Sequence, residues 1–251
     1  MTQLILALDS PTPAEAWQRV MPLLAETELS WVKIGMSLFY QPGGRDLLEK
    51  LDAARVNIFL DLKLHDIPAT VSRTLEGLYQ LPWRMLTLHT LGGEAMLEAA
   101  QAVMEKLENS TAQATLDNKR SLLGVTVLTS HSEATLRDEL GLCDTPEQAV
   151  IRLATLAANA GLGGIICSPQ EIQSIRQHLS PPFKLITPGI RIGSVAPDDD
   201  QVRVATPEYA ARAGADFIVV GRPILLSPNP CETTREIIEA LKLKRLSSQS
   251  P

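Results

Sequence analysis

Short apolar runs of four to eight residues recur eight times along the chain, each followed by a stretch with helical spacing. They begin near Leu4, Trp31, Asn57, Met85, Leu122, Gly164, Lys184 and Asp216. A helix between successive strands carries the chain back across the sheet, so neighbouring strands run parallel rather than as hairpins. Parallel sheets are covered on both faces, which explains why these runs are almost wholly apolar. Eight even units match a single-domain (β/α)8 TIM barrel over residues 1–246, with 247–251 as a frayed tail. A doubly wound open sheet is the alternative, but nothing in it demands eight regular repeats. The sequence contains no GxGxxG, Walker A or metal-finger spacing.

Helices are predicted from Thr12 or Ser10 to about Ala25, then over about 44–54, 68–80, 93–107, 145–160, 169–178, 207–213 and 231–244. Residues 108–120 are polar and unpatterned, and are read as a surface excursion. The long loop 192–206, rich in Asp, Pro and Gly, has the length of a functional segment.

The most informative run is Asn57 to Pro68, NIFLDLKLHDIP. Leu60, Leu62 and Leu64 alternate with Asp61 and Lys63, so one strand face is apolar and the other carries a carboxylate beside an ammonium. Taken alone, such a run is an edge strand with a solvated face. Inside a covered parallel sheet the inward charges are expensive unless paired or used, which favours a site. His65 and Asp66 follow in the turn, and Pro68 suits the first turn of a helix.

Asp9, Lys33, Asp61, Lys63, Thr129, Ser168, Arg191 and Arg222 all fall at or just past predicted strand ends. In a barrel those ends form one rim, where active sites are built. Lys33 alone could be a snorkelling lysine, and Gly221-Arg222 alone a plain turn. On a barrel's last strand, however, a glycine followed by an arginine fits a phosphate site. His65 and His89 could join Asp61 and Asp66 around a metal, but Lys33 and Lys63 in the same pocket oppose a dication. Capping or core roles are expected for both histidines.

The formal charge of −6 and pI near 5.3 argue against general binding to nucleic acid or anionic membranes. They leave an anionic small substrate open, because local cations set a pocket's field. Cys143, Cys167 and Cys231 lack CxxC spacing and are read as reduced thiols of a cytoplasmic protein. The first nine residues carry no basic group ahead of their apolar run, so no signal peptide is expected, and no stretch approaches a membrane span.

Taken together, these residues resemble the orotidine 5′-phosphate decarboxylase family. The resemblance rests on DLKLHDIP at 61–68, ALD ending at Asp9, VKIGM around Lys33 and LTS at 128–130. TPGIR at 187–191, DQVRVATP at 200–207 and VVGR at 219–222 complete it in the family's order. It implies decarboxylation of orotidine 5′-phosphate to uridine 5′-phosphate and CO2 without cofactor or metal, the last step of UMP synthesis.

By the same resemblance, Lys63 is the proton donor within an alternating array of Lys33, Asp61, Lys63 and Asp66. Asp66 would come from the other subunit of a homodimer, with Thr70 of that chain close by. Asp9 and Lys33 would contact the ribose, and Thr129 or Ser130 would read the pyrimidine. Arg191, Gln201, Gly221 and Arg222 would hold the phosphate beneath a lid at 192–206. Ile67 and Pro188 complete the implied substrate-binding set. Two rival readings stand beside this one. A metal-dependent sugar-phosphate decarboxylase or aldolase of the same superfamily places an acidic ligand where Lys33 stands here. A non-catalytic barrel for a nucleotide or phosphosugar would use Gly221 and Arg222 but gain nothing from Lys63 beside Asp61.

Overall fold

The computed structural model describes residues 1–110, 119–191 and 205–242. Eight parallel strands close into a barrel in sequence order. They are β1 Gln3–Leu8, β2 Trp31–Gly35, β3 Asn57–Leu64, β4 Met85–His89, β5 Ser121–Val125, β6 Gly164–Ile166, β7 Lys184–Thr187 and β8 Phe217–Val220. Closure pairs Leu4 of β1 with Ile218 of β8, so no strand is an edge. The edge-strand reading of β3 is thereby excluded: it pairs with β2 on one side and β4 on the other.

The helices are α1 Pro13–Glu26, α2 Met36–Phe39, α3 Gly44–Ala53, α4 Pro68–Leu78, α5 Glu94–Ser110, α6 Pro146–Asn159, α7 Ile172–His178, α8 Pro207–Ala213, α9 Arg222–Leu225 and α10 Pro230–Lys242. Several start where a hydroxyl meets the first free backbone donors. Thr12 accepts from Glu15 N, Thr206 from Tyr209 N, and Thr145 forms a reciprocal capping box with Gln148. Among the described residues, no helix is long and apolar enough to cross a membrane.

Strand parity divides the apolar side chains into two shells. Leu4, Leu6, Leu60, Leu62 and Leu86 belong to the large cluster shared with the helices. Ile5, Phe59, Met85, Leu123, Ile186, Phe217 and Val219 form a separate inner cluster. Trp31 meets Phe217 edge-on there, with ring centroids 5.1 Å apart. This inner plug closes the barrel beneath the charged rim.

Three expectations need correction. The sequence predicts strand five over Leu122–Leu128, but β5 stops at Val125 because its partner β6 offers only three residues. Thr126 continues the pairing with its side chain instead, its hydroxyl donating to Ile166 O at 3.0 Å. The helices α2 and α9 were not anticipated, since four residues are too few to display a period of 3.6. The excursion at 108–120 lies mostly outside the described residues; its first three residues instead extend α5 to Ser110. The loop at 192–206 falls outside the described residues except for Ala205 and Thr206, and the tail at 247–251 falls outside them entirely.

Gly164 gives a test of how tightly the sheet is closed. A Cβ placed on it would run into the backbone carbonyl of Lys184 on β7. Backbone cannot retreat from such a contact cheaply, so Gly164→Ala should lower stability by about 1–3 kcal/mol. Urea unfolding measures this, and an unchanged midpoint would mean that the β6–β7 seam is looser than described.

Candidate active site

The β3–β4 ladder is regular up to Leu60↔Leu86 and resumes at Leu64↔Leu88. Between these points Asp61, Leu62 and Lys63 stand opposite the single residue Thr87, which makes a bulge. Lys63 takes φ = 48°, in the left-handed region that residues with side chains rarely occupy. Its amide, displaced from the ladder, donates instead to Thr87 Oγ1 at 2.8 Å. The strain therefore sits at the residue expected to do the chemistry.

The Asp61 carboxylate is the centre of the array. Lys33 Nζ lies 3.0 Å from Oδ2, and Lys63 Nζ lies 2.8 Å from Oδ1. Thr87 Oγ1 donates to Oδ1 at 3.0 Å. Burial by itself would raise the pKa of this carboxyl, its side chain being only 12% exposed. The charges of Lys33 and Lys63 overcome that and hold it down at about 2. At neutral pH the site thus carries a fixed anion between two cations.

His89 borders this array. Burial, then the charges of His65, Lys63 and His131, push its pKa down to about 4, so it is neutral at physiological pH. Its Nδ1 accepts from Leu91 N at 3.4 Å, the capping role expected for it, and the exposed His65 ring stacks on it at 5.5 Å. Among the described residues, no three His, Cys, Asp or Glu side chains cluster as metal ligands would.

The array opens into a cleft of about 470 Å³ at the C-terminal ends of the strands. Asp9, Lys33, Asp61, Lys63, Thr129, Pro188, Arg191, Gly221 and Arg222 line it, so most of the predicted set meets in one space. Its apolar surface comes from Ala7, Phe59, Val125, Val127, Ile166 and Val219. Gly221 brings backbone against β1: a Cβ there would sit 3.3 Å from Ala7 O. Cys167 also borders the cleft, but burial drives its thiol pKa up to about 12, which makes it inert as a nucleophile.

Other predicted residues stand apart. Ser130, Asp66, Ile67 and Thr70 do not line the cleft of this single chain, and Asp66 accepts from Ile67 N at 2.7 Å in an exposed turn. Ser168 lies at the expected strand end but is buried and does not line the cleft. Gln201 lies outside the described residues. Sequence reading missed Thr87, although its parity with Met85 and His89 already placed it on the inward face of β4.

A closed parallel barrel with a half-buried Lys–Asp–Lys array and two arginines in one rim cleft defines a class: barrel enzymes that act on small anionic substrates. The comparisons narrow that class. The model of the Orotidine 5′-phosphate decarboxylase / HUMPS family matches residues 2–237, and the chain belongs to that family. It is 45% identical to an orotidine 5′-phosphate decarboxylase of Opitutus terrae over 241 residues, covering 95% of this chain and 98% of that one. The corresponding protein of Staphylococcus haemolyticus is 44% identical over 210 residues, covering 84% and 86% of the two chains. Among solved structures, the orotidine 5′-phosphate decarboxylase of Lactobacillus acidophilus superposes with a TM-score of 0.80 at 33% identity, covering 96% and 99%.

Asp61 makes a pH prediction. A carboxyl whose folded pKa is depressed contributes stability above its unfolded pKa, here 3.8, and loses it as pH falls through about 2. Asp61→Asn should therefore be less stable than the native protein by about 2 kcal/mol near pH 6. The gap should narrow steadily below about pH 4. Denaturant unfolding across that range checks it, and a gap independent of pH would mean that ionisation of Asp61 does not contribute.

Proposed function

We propose that this chain converts orotidine 5′-phosphate to uridine 5′-phosphate and CO2, with Lys63 as the proton donor. The observation that carries the assignment is the Lys33–Asp61–Lys63 array, half-buried on the cleft side of β2 and β3. Losing CO2 from C6 of the pyrimidine leaves an electron pair on a ring carbon with no adjacent electron sink. A fixed ammonium stabilises that developing charge and then delivers its proton to C6. The C6–carboxylate bond breaks, a C6–H bond forms, and Lys63 regains its proton from solvent.

Asp61 holds the Lys63 ammonium and presents negative charge to the departing carboxylate. Asp9 and Lys33 take the ribose hydroxyls, and Thr129, the member of the Thr129–Ser130 pair that lines the cleft, takes the pyrimidine edge. Arg191, Gly221 and Arg222, with Gln201, take the phosphate, while Pro188 packs beside them. Binding energy gained at that remote end can be realised at the transition state. A metal-dependent sugar-phosphate chemistry is disfavoured, because the second-strand position carries the Lys33 ammonium 3.0 Å from Asp61.

The site is completed by a second copy of the chain, which supplies Asp66, Ile67 and Thr70. Met36, Ile67 and Leu91 follow the ends of the neighbouring strands β2, β3 and β4 and are all exposed, Ile67 to 65%, and large apolar side chains left exposed there favour burial by a partner. Cys143, Cys167 and Cys231 stand unpaired with one another, which fits a cytoplasmic enzyme.

Lys63→Ala should abolish turnover in an ultraviolet assay of orotidine 5′-phosphate loss while leaving the fold intact. Activity kept within about tenfold, roughly 1.4 kcal/mol in barrier, would be too little for a proton donor. Shared sites predict a second result. Lys63→Ala and Asp66→Ala homodimers should each be nearly inactive, yet refolding them together should restore about a quarter of native activity, because half of the dimers then carry one intact site. No recovery in confirmed mixed dimers would return Asp66 to its own chain or remove it from the chemistry.

A further inference from the structure

We infer that Thr87 is a positioning residue for the Lys63–Asp61 pair, its single hydroxyl tying the Lys63 backbone and the Asp61 carboxylate to β4. This deepens the reading of Lys63 as proton donor and rests on it. Thr87 is fully buried in mid-strand on the inward face of β4. Its oxygen accepts from Lys63 N at 2.8 Å, and its proton goes to Asp61 Oδ1 at 3.0 Å. Neither partner can reverse roles, since an amide only donates and a carboxylate only accepts. The hydroxyl therefore has one orientation, and the chain amide–hydroxyl–carboxylate is polarised throughout.

The bulge makes this hydroxyl necessary. With three residues of β3 facing one of β4, the Lys63 amide is turned onto the Thr87 hydroxyl. That donor would lose this acceptor, in a residue already held in the left-handed region, if position 87 were apolar. Such a residue stays in its strained conformation only while its surroundings hold it there. Removing the hydroxyl releases the Lys63 backbone and takes one of two donors from Oδ1, the other being Lys63 Nζ itself. The ammonium then loses its aim from both ends. Arg191, Arg222 and Thr129, beyond the ends of other strands, are untouched.

The experiment compares Thr87→Val, Thr87→Ala, Thr87→Ser and Lys63→Ala with the native enzyme, reading kcat together with the Kd for uridine 5′-phosphate. A displacement on the order of 1 Å at the reacting group can cost about a hundredfold in rate. Whichever of Val and Ala is folded by circular dichroism should lose about ten- to a hundredfold in kcat with Kd changed less than about threefold. Serine, which keeps the hydroxyl and drops the methyl, should return kcat to within about threefold of native. If Lys63→Ala is inactive but the hydroxyl-free variants keep kcat within about twofold, the positioning role is wrong and the proton-donor role stands. If Lys63→Ala itself stays active, the underlying reading fails first. Parallel loss of kcat and nucleotide affinity without rescue by serine, or failure of both hydroxyl-free variants to fold, makes Thr87 structural and overturns the inference.

Discussion

The arrangement depends on one buried carboxylate. Asp61 sits between two ammonium groups, above a barrel interior plugged by apolar side chains. A lone carboxylate there would protonate, and a lone ammonium would shed its proton or leave. Each is tolerable because the other is present, so the three side chains form one electrostatic unit that cannot be dismantled piecemeal. The inner plug of Phe59, Met85, Phe217 and their neighbours supports it from below. By keeping water out from beneath, that plug makes the local field stronger than it would be at an exposed surface.

Holding the unit in place takes backbone as well as charge. A regular parallel ladder would set one residue of β3 against each residue of β4. Instead β3 carries two extra residues across a single position of its neighbour, and strain is concentrated at Lys63. Strain of this kind persists where the surroundings over-determine it, and here they do so twice, through the Lys63 side chain on Asp61 and the Lys63 amide on Thr87. Across the cleft the β7 and β8 ends contribute Arg191 and Arg222. In the proposed function an extended substrate is gripped at one end by guanidinium groups and worked on at the other by the array. That separation is what allows binding energy from a non-reacting group to serve the transition state.

Most of this was legible in the sequence, for identifiable reasons. Eight apolar runs separated by helical spacing leave little besides a closed barrel, and alternation at Leu60–Leu64 set the inward parity of Asp61. Strand ends read to within a residue or two wherever a charge or glycine stopped the run, as at Asp9 and Gly221. They failed at β5, where the stop is imposed by the shortness of β6 and not by anything in LLGVTVL itself. The four-residue helices were invisible because periodicity needs more than one turn to show. The bulge and the part played by Thr87 were hidden for a deeper reason: both concern which residue of one strand faces which of another, and local spacing does not encode that register.

A count of charge within one chain leads to the last step. Lys33, Lys63 and Asp61 sum to one net positive charge at one end of the cleft. That excess would hold an anionic substrate carboxylate comfortably, which favours the ground state as much as the transition state and accelerates nothing. A second carboxylate brought to Lys63 would neutralise the excess, so that the substrate's own carboxylate meets Asp61 without a surplus cation to screen it. In the proposed reaction, release of CO2 then relieves that repulsion while the charge left on C6 stays against the Lys63 ammonium. Asp66 is suited to supply this carboxylate, because it follows Lys63 by three residues yet stands in the exposed turn before α4, outside its own chain's cleft. In the proposed dimer the interface is therefore part of the electrostatics of the reaction, and a folded monomer would hold its substrate too contentedly to decarboxylate it well.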